Sequence, residues 1–325
     1  MQRLTSRLRR PRDRERGATA VVFALLLVPM LGFAAVAVDI GALYAERARL
    51  QVGADAAAIA VAQDCSRGNC GDMLATARAM VVANDGDAST AQPVLNSVPL
   101  SVTVTGRRPV QHWFAPVIGH DSTAVSATAT VGWGGPSQGT AVMPLTFSWC
   151  SFKKQTGGVV PSISTETQQT IFLTKSAGVA SCTGPSGNVV PGGFGFLDTD
   201  PGVCDITSKL KDILPSSTGA SPPNGCNPVD FSAWVGKTVL LPLFDQFGEN
   251  GTNAWYRVYG YAAFHVTGYQ FTGQFKTGTK PCGPGSNGND RCVTGHYTRF
   301  VELSDAWNYS PDAPTLGASI LRLIR

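Results

Sequence analysis

An α+β protein hung on one long N-terminal membrane helix is what the sequence predicts, and three observations predict it. Residues 18–38 carry no charge. A Pro-free, alanine-rich stretch continues from them without a turn signal. From about residue 140 onward Gly, Pro, Ser, Thr and Asn rise, and short alternating segments replace helical patterns. The expected order is a transmembrane helix extended beyond the membrane, a small α+β unit, and a β-rich, disulfide-stapled domain.

The span Ala18 to Val38 reaches roughly 30 Å as a helix, the thickness of a bilayer's hydrocarbon core. Seven Arg and two acids precede it within the first 16 residues, and Asp39 is the first charge behind it. Basic residues resist translocation, so the N-terminus is expected in the cytoplasm and the remainder outside. The competing expectation is a cleaved signal peptide with Ala35-Val36-Ala37 as the cleavage site. The apolar run is longer than an ordinary h-region, and helix-favouring sequence passes straight through that tripeptide. A retained anchor is therefore the expectation. Pro29 and Gly32 are compatible with it, because membrane helices tolerate both.

Of the 26 basic and 22 acidic residues, 19 and 20 remain after the first 16 positions. A nearly neutral outer part lacks the charge excess of a nucleic-acid-binding domain. Membrane topology and attraction to anionic lipid account for the Arg cluster. The eight cysteines all lie behind the span: Cys65, Cys70, Cys150, Cys182, Cys204, Cys226, Cys282 and Cys292. An even count on the exported side predicts disulfides, although eight cysteines allow 105 pairings. Loop closure favours near neighbours, hence Cys65–Cys70, Cys150–Cys182, Cys204–Cys226 and Cys282–Cys292. The four histidines have no cysteine neighbours at zinc-ligand spacing.

Beyond the membrane, Ile40 to Gln63 should prolong the helix. Leu43, Leu50, Ala54, Ala57, Ala58 and Val61 give it an apolar side. Ala54, Ala57 and Ala58 would permit close approach of another helix. Periodicity marks a buried face without saying what buries it, so a partner helix and the protein's own outer part both stay open. After the polar Cys65–Cys70 loop, Asp72 to Ala83 reads as a second helix ended by Asn84-Asp85-Gly86. Leu100–Thr105 and Ser122–Val131 alternate as strands, and Pro109–Gly119 is an apolar, aromatic loop or short helix. This unit is expected to end near Gly132–Pro136. Further strands are expected at Ala141–Trp149, Thr170–Lys175, Thr238–Phe244, Tyr256–Gly268, Tyr269–Phe275 and Tyr297–Leu303. Only Asp205–Leu214 reads as helical there.

With these segments in view, the chain resembles the Flp/Tad pilus-assembly TadE/TadG-like family, in its actinobacterial type with a single N-terminal anchor. The resemblance is carried by Arg16-Gly17-Ala18-Thr19-Ala20, the span, Val38-Asp39-Ile40-Gly41-Ala42-Leu43-Tyr44, Arg49-Leu50-Gln51 and Ala54-Asp55-Ala56-Ala57-Ala58. It covers residues 14–65, with further similarity at Trp113–Gly119, Val125–Ala129, Gly193–Asp198 and Gly260–Phe264. Pilin-like relatives place a Glu where this chain has Val22, so the chain is more similar to unprocessed, anchored members. Asp121–Val125 does not fit the D-x-S-x-S motif of relatives with a von Willebrand-type domain.

The sequence contains no H-E-x-x-H and no G-x-x-x-x-G-K-[ST] phosphate-binding loop. His265 alternates with Phe264 and Val266 in a strand pattern, as a packed or surface His does. Asp198-Thr-Asp200 lacks the ligands of a calcium loop and reads as a solvated turn. Asn250-Gly-Thr252 and Asn308-Tyr-Ser310 match glycosylation sequons. No catalytic, cofactor-binding or metal-ligating residue is expected.

The expected segments are a basic cytoplasmic tail (1–17), an anchor (18–43), an extended helix with a small α+β unit (44–136) and a β-rich extracytoplasmic domain (137–325). The resemblance implies a single-pass membrane component of Flp/Tad-type pilus assembly with a structural or interaction role. It further implies contact with the membrane and with other pilus-assembly or envelope proteins, and allows a homo-oligomer through the anchor helix. The alternative is a membrane-tethered hydrolase, or a ligand-binding or adhesin domain.

Overall fold

A computed structural model describes residues 15–87, 89–162, 166–174, 180–217, 221–248 and 253–324. The basic tail up to residue 14 and the Asn250-Gly-Thr252 sequon lie outside the described residues. The first element is one helix, α1 (Glu15–Ser66), about 78 Å long at the α-helical rise. Its first part, residues 18–38, is exposed except for half-buried Ala35, as expected of a surface that meets lipid rather than protein. Burial starts beyond it, at Asp39, and continues at Leu50, Gly53, Ala54, Ala57, Ala58, Val61, Ala62 and Cys65. Steps of three and four residues place all of these along one side.

After α2 (Met73–Asp85) come β1 (Thr90–Ser97), β2 (Leu100–Gln111) and β3 (Ser122–Ala141). The chain continues through β4 (Leu145–Ser148), α3 (Trp149–Thr156), β5 (Gln169–Phe172), β6 (Ser181–Thr183), β7 (Val189–Pro191) and β8 (Phe194–Phe196). Then follow β9 (Ile206–Lys209), β10 (Ile213–Pro215), α4 (Pro228–Ser232), β11 (Thr238–Gly248) and β12 (Trp255–Gln270). It closes with β13 (Cys292–Tyr297), β14 (Phe300–Leu303), β15 (Asn308–Ser310) and β16 (Ala318–Ile324). The α+β class with a long apolar N-terminal helix is the one expected.

Packing divides the chain into two units. The first comprises the described part of Met1–Ala57 with Ala77–Gln92 and Val104–Thr128. Here α1 lies close on α2, because Gly53 has no side chain: a Cβ would sit 3.3 Å from Val81 Cα. Gly106 on β2 likewise makes room for Leu50, whose Cδ1 would be 2.9 Å from an added Cβ. Beside them Arg108 donates to the Asp85 carbonyl and pairs with the Asp85 and Glu46 carboxylates at 3.5 and 3.6 Å. The Asp85 side chain is fully buried and also accepts from Ser89 Oγ. A buried carboxylate is tolerated only when paired and hydrogen-bonded in this way.

The second unit comprises Ala58–Thr76, Pro93–Thr103 and Ala129–Arg325. One sheet there has β3 antiparallel to β16, with Leu321 opposite Trp133, and β16 parallel to β14. β9 and β15 pair antiparallel with further parts of β3. A second sheet runs β5-β13-β12-β11-β4-β8, with β10 on β12. β11 and β12 form its long antiparallel centre, and β4 joins β11 in parallel. Edge-on aromatic rings fill the core: Phe264 lies 4.8 Å from Phe147 and 5.0 Å from Tyr297, and Phe152 lies 5.1 Å from Tyr297.

All four disulfides pair as near-neighbour closure predicts: Cys65–Cys70, Cys150–Cys182, Cys204–Cys226 and Cys282–Cys292. Arg299 further holds the Cys65–Cys70 loop, donating to the carbonyls of Arg67 and Pro161 at 2.6 Å each. Ala54 and Ala57 in the first unit, and Ala58 in the second, are fully buried by the chain itself.

Several local expectations need correction, among them Tyr269–Phe275, which is strand only up to Gln270, where β12 ends. Asp205–Leu214 is not helical but forms β9 and β10, joined by a turn in which Lys211 has φ 70° and Asp212 accepts the Lys209 N–H. Ile206 and Ser208 are buried while Thr207 and Lys209 are exposed, a period of two imposed by pairing with β3. Within Ala141–Trp149, Ala141 closes β3 and Leu145–Ser148 forms β4, and Ser148 then caps α3 by accepting the Cys150 N–H. The Gly132–Pro136 run is the middle of β3 rather than a break. Its glycines answer to close packing: a Cβ on Gly134 would lie 2.6 Å from the Ser310 carbonyl, and one on Gly139 2.3 Å from the Trp307 ring.

Phe264→Ala should destabilise the second unit by about 3–5 kcal/mol, because it empties a fully buried aromatic site. Urea denaturation of the full chain in detergent reads the loss. A loss below about 1 kcal/mol would contradict the assigned core.

Candidate functional site

The feature that departs most from ordinary packing lies where the apolar span ends. Asp39 stands on the same side of α1 as Leu43, Glu46 and Leu50, so the buried stripe reaches back to the last turn of the span. Its carboxylate is only 6 % exposed. Oδ1 accepts the Trp113 N–H at 2.8 Å and the Phe114 N–H at 3.3 Å. Oδ2 accepts the Phe114 N–H at 3.2 Å and the Ala115 N–H at 2.8 Å. Three successive amides thus converge on one anion, a backbone concavity suited to negative charge.

The loop is built to present those amides. β2 ends at Gln111, and the His112 N–H closes the loop onto the Asp121 carbonyl at 3.0 Å. His112 Nε2 also meets Thr123 Oγ1 at 2.8 Å. Ala115–Ile118 then makes one 3₁₀ turn with Pro116 near its start, where a missing N–H costs nothing. Gly119 ends it in the left-handed region at φ 88°, a conformation that suits glycine. Along the loop Trp113, Val117 and Ile118 stay largely exposed and Phe114 half so. An apolar cavity of about 600 Å³ lies between this loop and the last turns of the span, from Leu31 to Asp39. Asp39 is the one charged side chain in its lining, and its oxygens face the loop amides.

The other positions singled out by sequence do not assemble reactive chemistry. His265 and His296 stack at 5.1 Å across β12 and β13, and His265 Nδ1 lies 3.3 Å from Thr238 Oγ1. Burial, with the neighbouring His265, lowers the His296 pKa, against a smaller opposing pull from Glu166. Asp200 accepts the Thr207 N–H at 2.9 Å, a turn-stabilising role. Burial and the neighbouring Asp200 and Asp230 raise the Asp205 pKa. Asn308 lies on β15, with its Oδ1 3.4 Å from Arg322 Nη2. Among the described residues no group of three or more His, Cys, Asp or Glu is placed to hold a metal ion. A cleft of about 470 Å³ beside α3 includes Ser151, Lys153, Lys154 and the Cys150–Cys182 bridge, but its described lining contributes no His, Asp or Glu.

In the sequence Asp39 is the first charge after the span and part of the Val38-to-Tyr44 segment, and Trp113–Gly119 is an apolar segment with its own family similarity, but nothing there joins the two. An uncharged aromatic loop together with an acid at the end of an apolar helix was the available signal. Comparison with family models matches residues 17–64 to the family described as "Putative Flp pilus-assembly TadE/G-like". That match contains the span, Asp39 and the Ala54-to-Ala58 segment. Neither the curated proteins nor the solved structures give a match.

The His296 shift predicts a pH dependence. Its folded pKa is below the ordinary value of 6.5, so the unfolded chain takes up the proton first as pH falls. This contribution to stability is complete above pH 6.5 and is lost as pH drops toward the lower folded pKa. His296→Gln should therefore lose less stability than the parent between pH 7.5 and 5.5 in denaturant titrations. An equal loss in both would contradict the assigned environment.

Proposed function

We propose that this chain is a membrane-anchored, extracytoplasmic component of Flp/Tad-type pilus assembly that works by binding and display rather than by catalysis. The family match over residues 17–64 carries this conclusion. The anchor is the exposed, uncharged first part of α1, long enough to cross a bilayer. The Arg-rich tail ahead of it favours a cytoplasmic N-terminus. Four disulfides are consistent with an oxidising compartment for everything behind the span.

In this scheme α1 transmits position. Its lower part is open to lipid or to other membrane helices of the pilus machinery, including a second copy of this chain. Its upper part is committed to the protein's own packing, with Leu50, Ala54 and Ala57 buried. The β-rich part is then the portion presented to pilus or envelope proteins. No observation favours a hydrolase over this scheme.

Two measurements test the proposal. Protease added to intact spheroplasts should digest the chain beyond Asp39 and spare an N-terminal tag. A protected C-terminal domain would reverse the topology. Deleting the gene should sharply reduce pili per cell, with restoration by the full chain. Unchanged piliation in the deletion strain would overturn the assembly role.

A further inference from the structure

We infer that the tip of the β2–β3 loop is a second membrane contact, seated in the extracytoplasmic leaflet beside the helix end, and that a lipid acyl chain occupies the cavity between them. The inference rests on the anchor assigned above. It extends that assignment by adding a lipid-binding element more than 70 residues beyond Asp39 in the chain.

Position comes first. Asp39 ends the uncharged span, and its oxygens fix Trp113, Phe114 and Ala115 at that level. From there the cavity wall descends along α1 to Leu31, eight residues or about 12 Å toward the bilayer centre. A helix that crosses the membrane with residues 18–38 therefore carries the loop tip into the interfacial zone and the upper acyl region. Nothing in the first unit needs to move for this to happen.

Chemistry comes second. Trp113 to Gly119 contains no charged side chain, and Trp113, Val117 and Ile118 are 77 %, 89 % and 73 % exposed. In water such a cluster is an unfavourable surface. At a bilayer it is an aromatic anchor followed by an apolar wedge, the side chains that favour the interface and the region beneath it.

Backbone satisfaction is the independent observation. Non-helical backbone is excluded from hydrocarbon unless its polar groups are paired within the protein. Here the N–H groups of Trp113, Phe114 and Ala115 are taken by Asp39. Those of Val117, Gly119 and His120 donate to the carbonyls of Phe114, Pro116 and Ala115. Pro116 has no N–H to satisfy. These six backbone donors are thereby paired inside the protein, as immersion in hydrocarbon requires.

The occupant follows from the lining. Leu31, Ala35 and Val38 face Phe114, Val117 and Ile118 across the cavity, and the Asp39 oxygens are taken up by the loop amides. No described side chain in that lining is left to recognise a headgroup or a polar peptide. The space is continuous with the exposed surface of the span, which is already the lipid-facing surface. An acyl chain reaches it without leaving the leaflet.

The experiment uses the full chain in phosphatidylethanolamine–phosphatidylglycerol vesicles, with a nitroxide on a cysteine introduced at one position. Val117→Cys reports on the loop, Phe33→Cys on the span and Val229→Cys on a surface remote in sequence. All three native side chains are more than two-thirds exposed, so the label displaces no packed group. Collision rates with oxygen, which concentrates in lipid, are compared with those of a water-soluble nickel chelate. At Val117 and Phe33 oxygen should exceed the chelate several-fold, whereas at Val229 the chelate should dominate. If Phe33 is in lipid but Val117 matches Val229, the loop lies in water and the inference is overturned while the anchor stands. If Phe33 is itself open to the chelate, the anchor and the inference fall together. Low rates for both reagents at Val117 would mean that another protein, such as a second copy, covers the loop instead of lipid.

Discussion

One carboxylate fixes the geometry at the end of the apolar span. Asp39 accepts three consecutive backbone amides from a loop 74 to 76 residues away, and is itself almost wholly buried in doing so. An ionised carboxylate out of water is strongly unfavourable unless several donors compensate it. Equally, three amides pointing into an apolar surrounding need an acceptor. Each requirement answers the other. The acid can sit at the end of an exposed apolar helix because the loop is there, and the loop can approach the span because the acid is there.

The rest of the first unit extends the same logic along α1. From Asp39 the inward stripe passes to Leu43, Glu46, Leu50, Gly53 and Ala54. At Glu46 the pairing is ionic, through Arg108 and the buried Asp85. At Leu50 it is a methyl group set over Gly106, and at Gly53 it is backbone against the Val81 Cα. Polar fastening nearest the membrane gives way to close apolar packing farther out. Removing Arg108 would leave Asp85 buried with an unbalanced charge, which is far worse than never having placed the pair there.

What the sequence made legible follows from how local each cause is. The span is an uncharged run, and the disulfides close loops of 5 to 32 residues, so both are visible in short windows. The family resemblance likewise rests on residues 14–65, within one continuous helix for most of its length. Long-range causes were not visible. Asp205–Leu214 has a helix-compatible composition, and only pairing of β9 with β3, more than 60 residues earlier, and of β10 with the later β12 forces it into strands. Gly134 and Gly139 mimic turn glycines until Ser310 and Trp307 are found above them. Helical periodicity identified Ala54, Ala57 and Ala58 as a buried face, and only the folded chain identifies what covers them. The Asp39 clamp was hidden for the same reason: its partners are amides, which leave no side-chain signature.

The clamp is tested most directly by solution NMR of the full chain in micelles, observing the Trp113 and Ala115 amides. Charge-assisted hydrogen bonds at 2.8 Å should shift both amide protons downfield and give measurable coupling across the bond to the Asp39 carboxyl carbon. Asp39→Ala should abolish the coupling and return both protons to ordinary loop positions, leaving β11 and β12 resonances in place. Amides with no coupling to Asp39, and shifts that ignore its removal, would contradict the account at its centre.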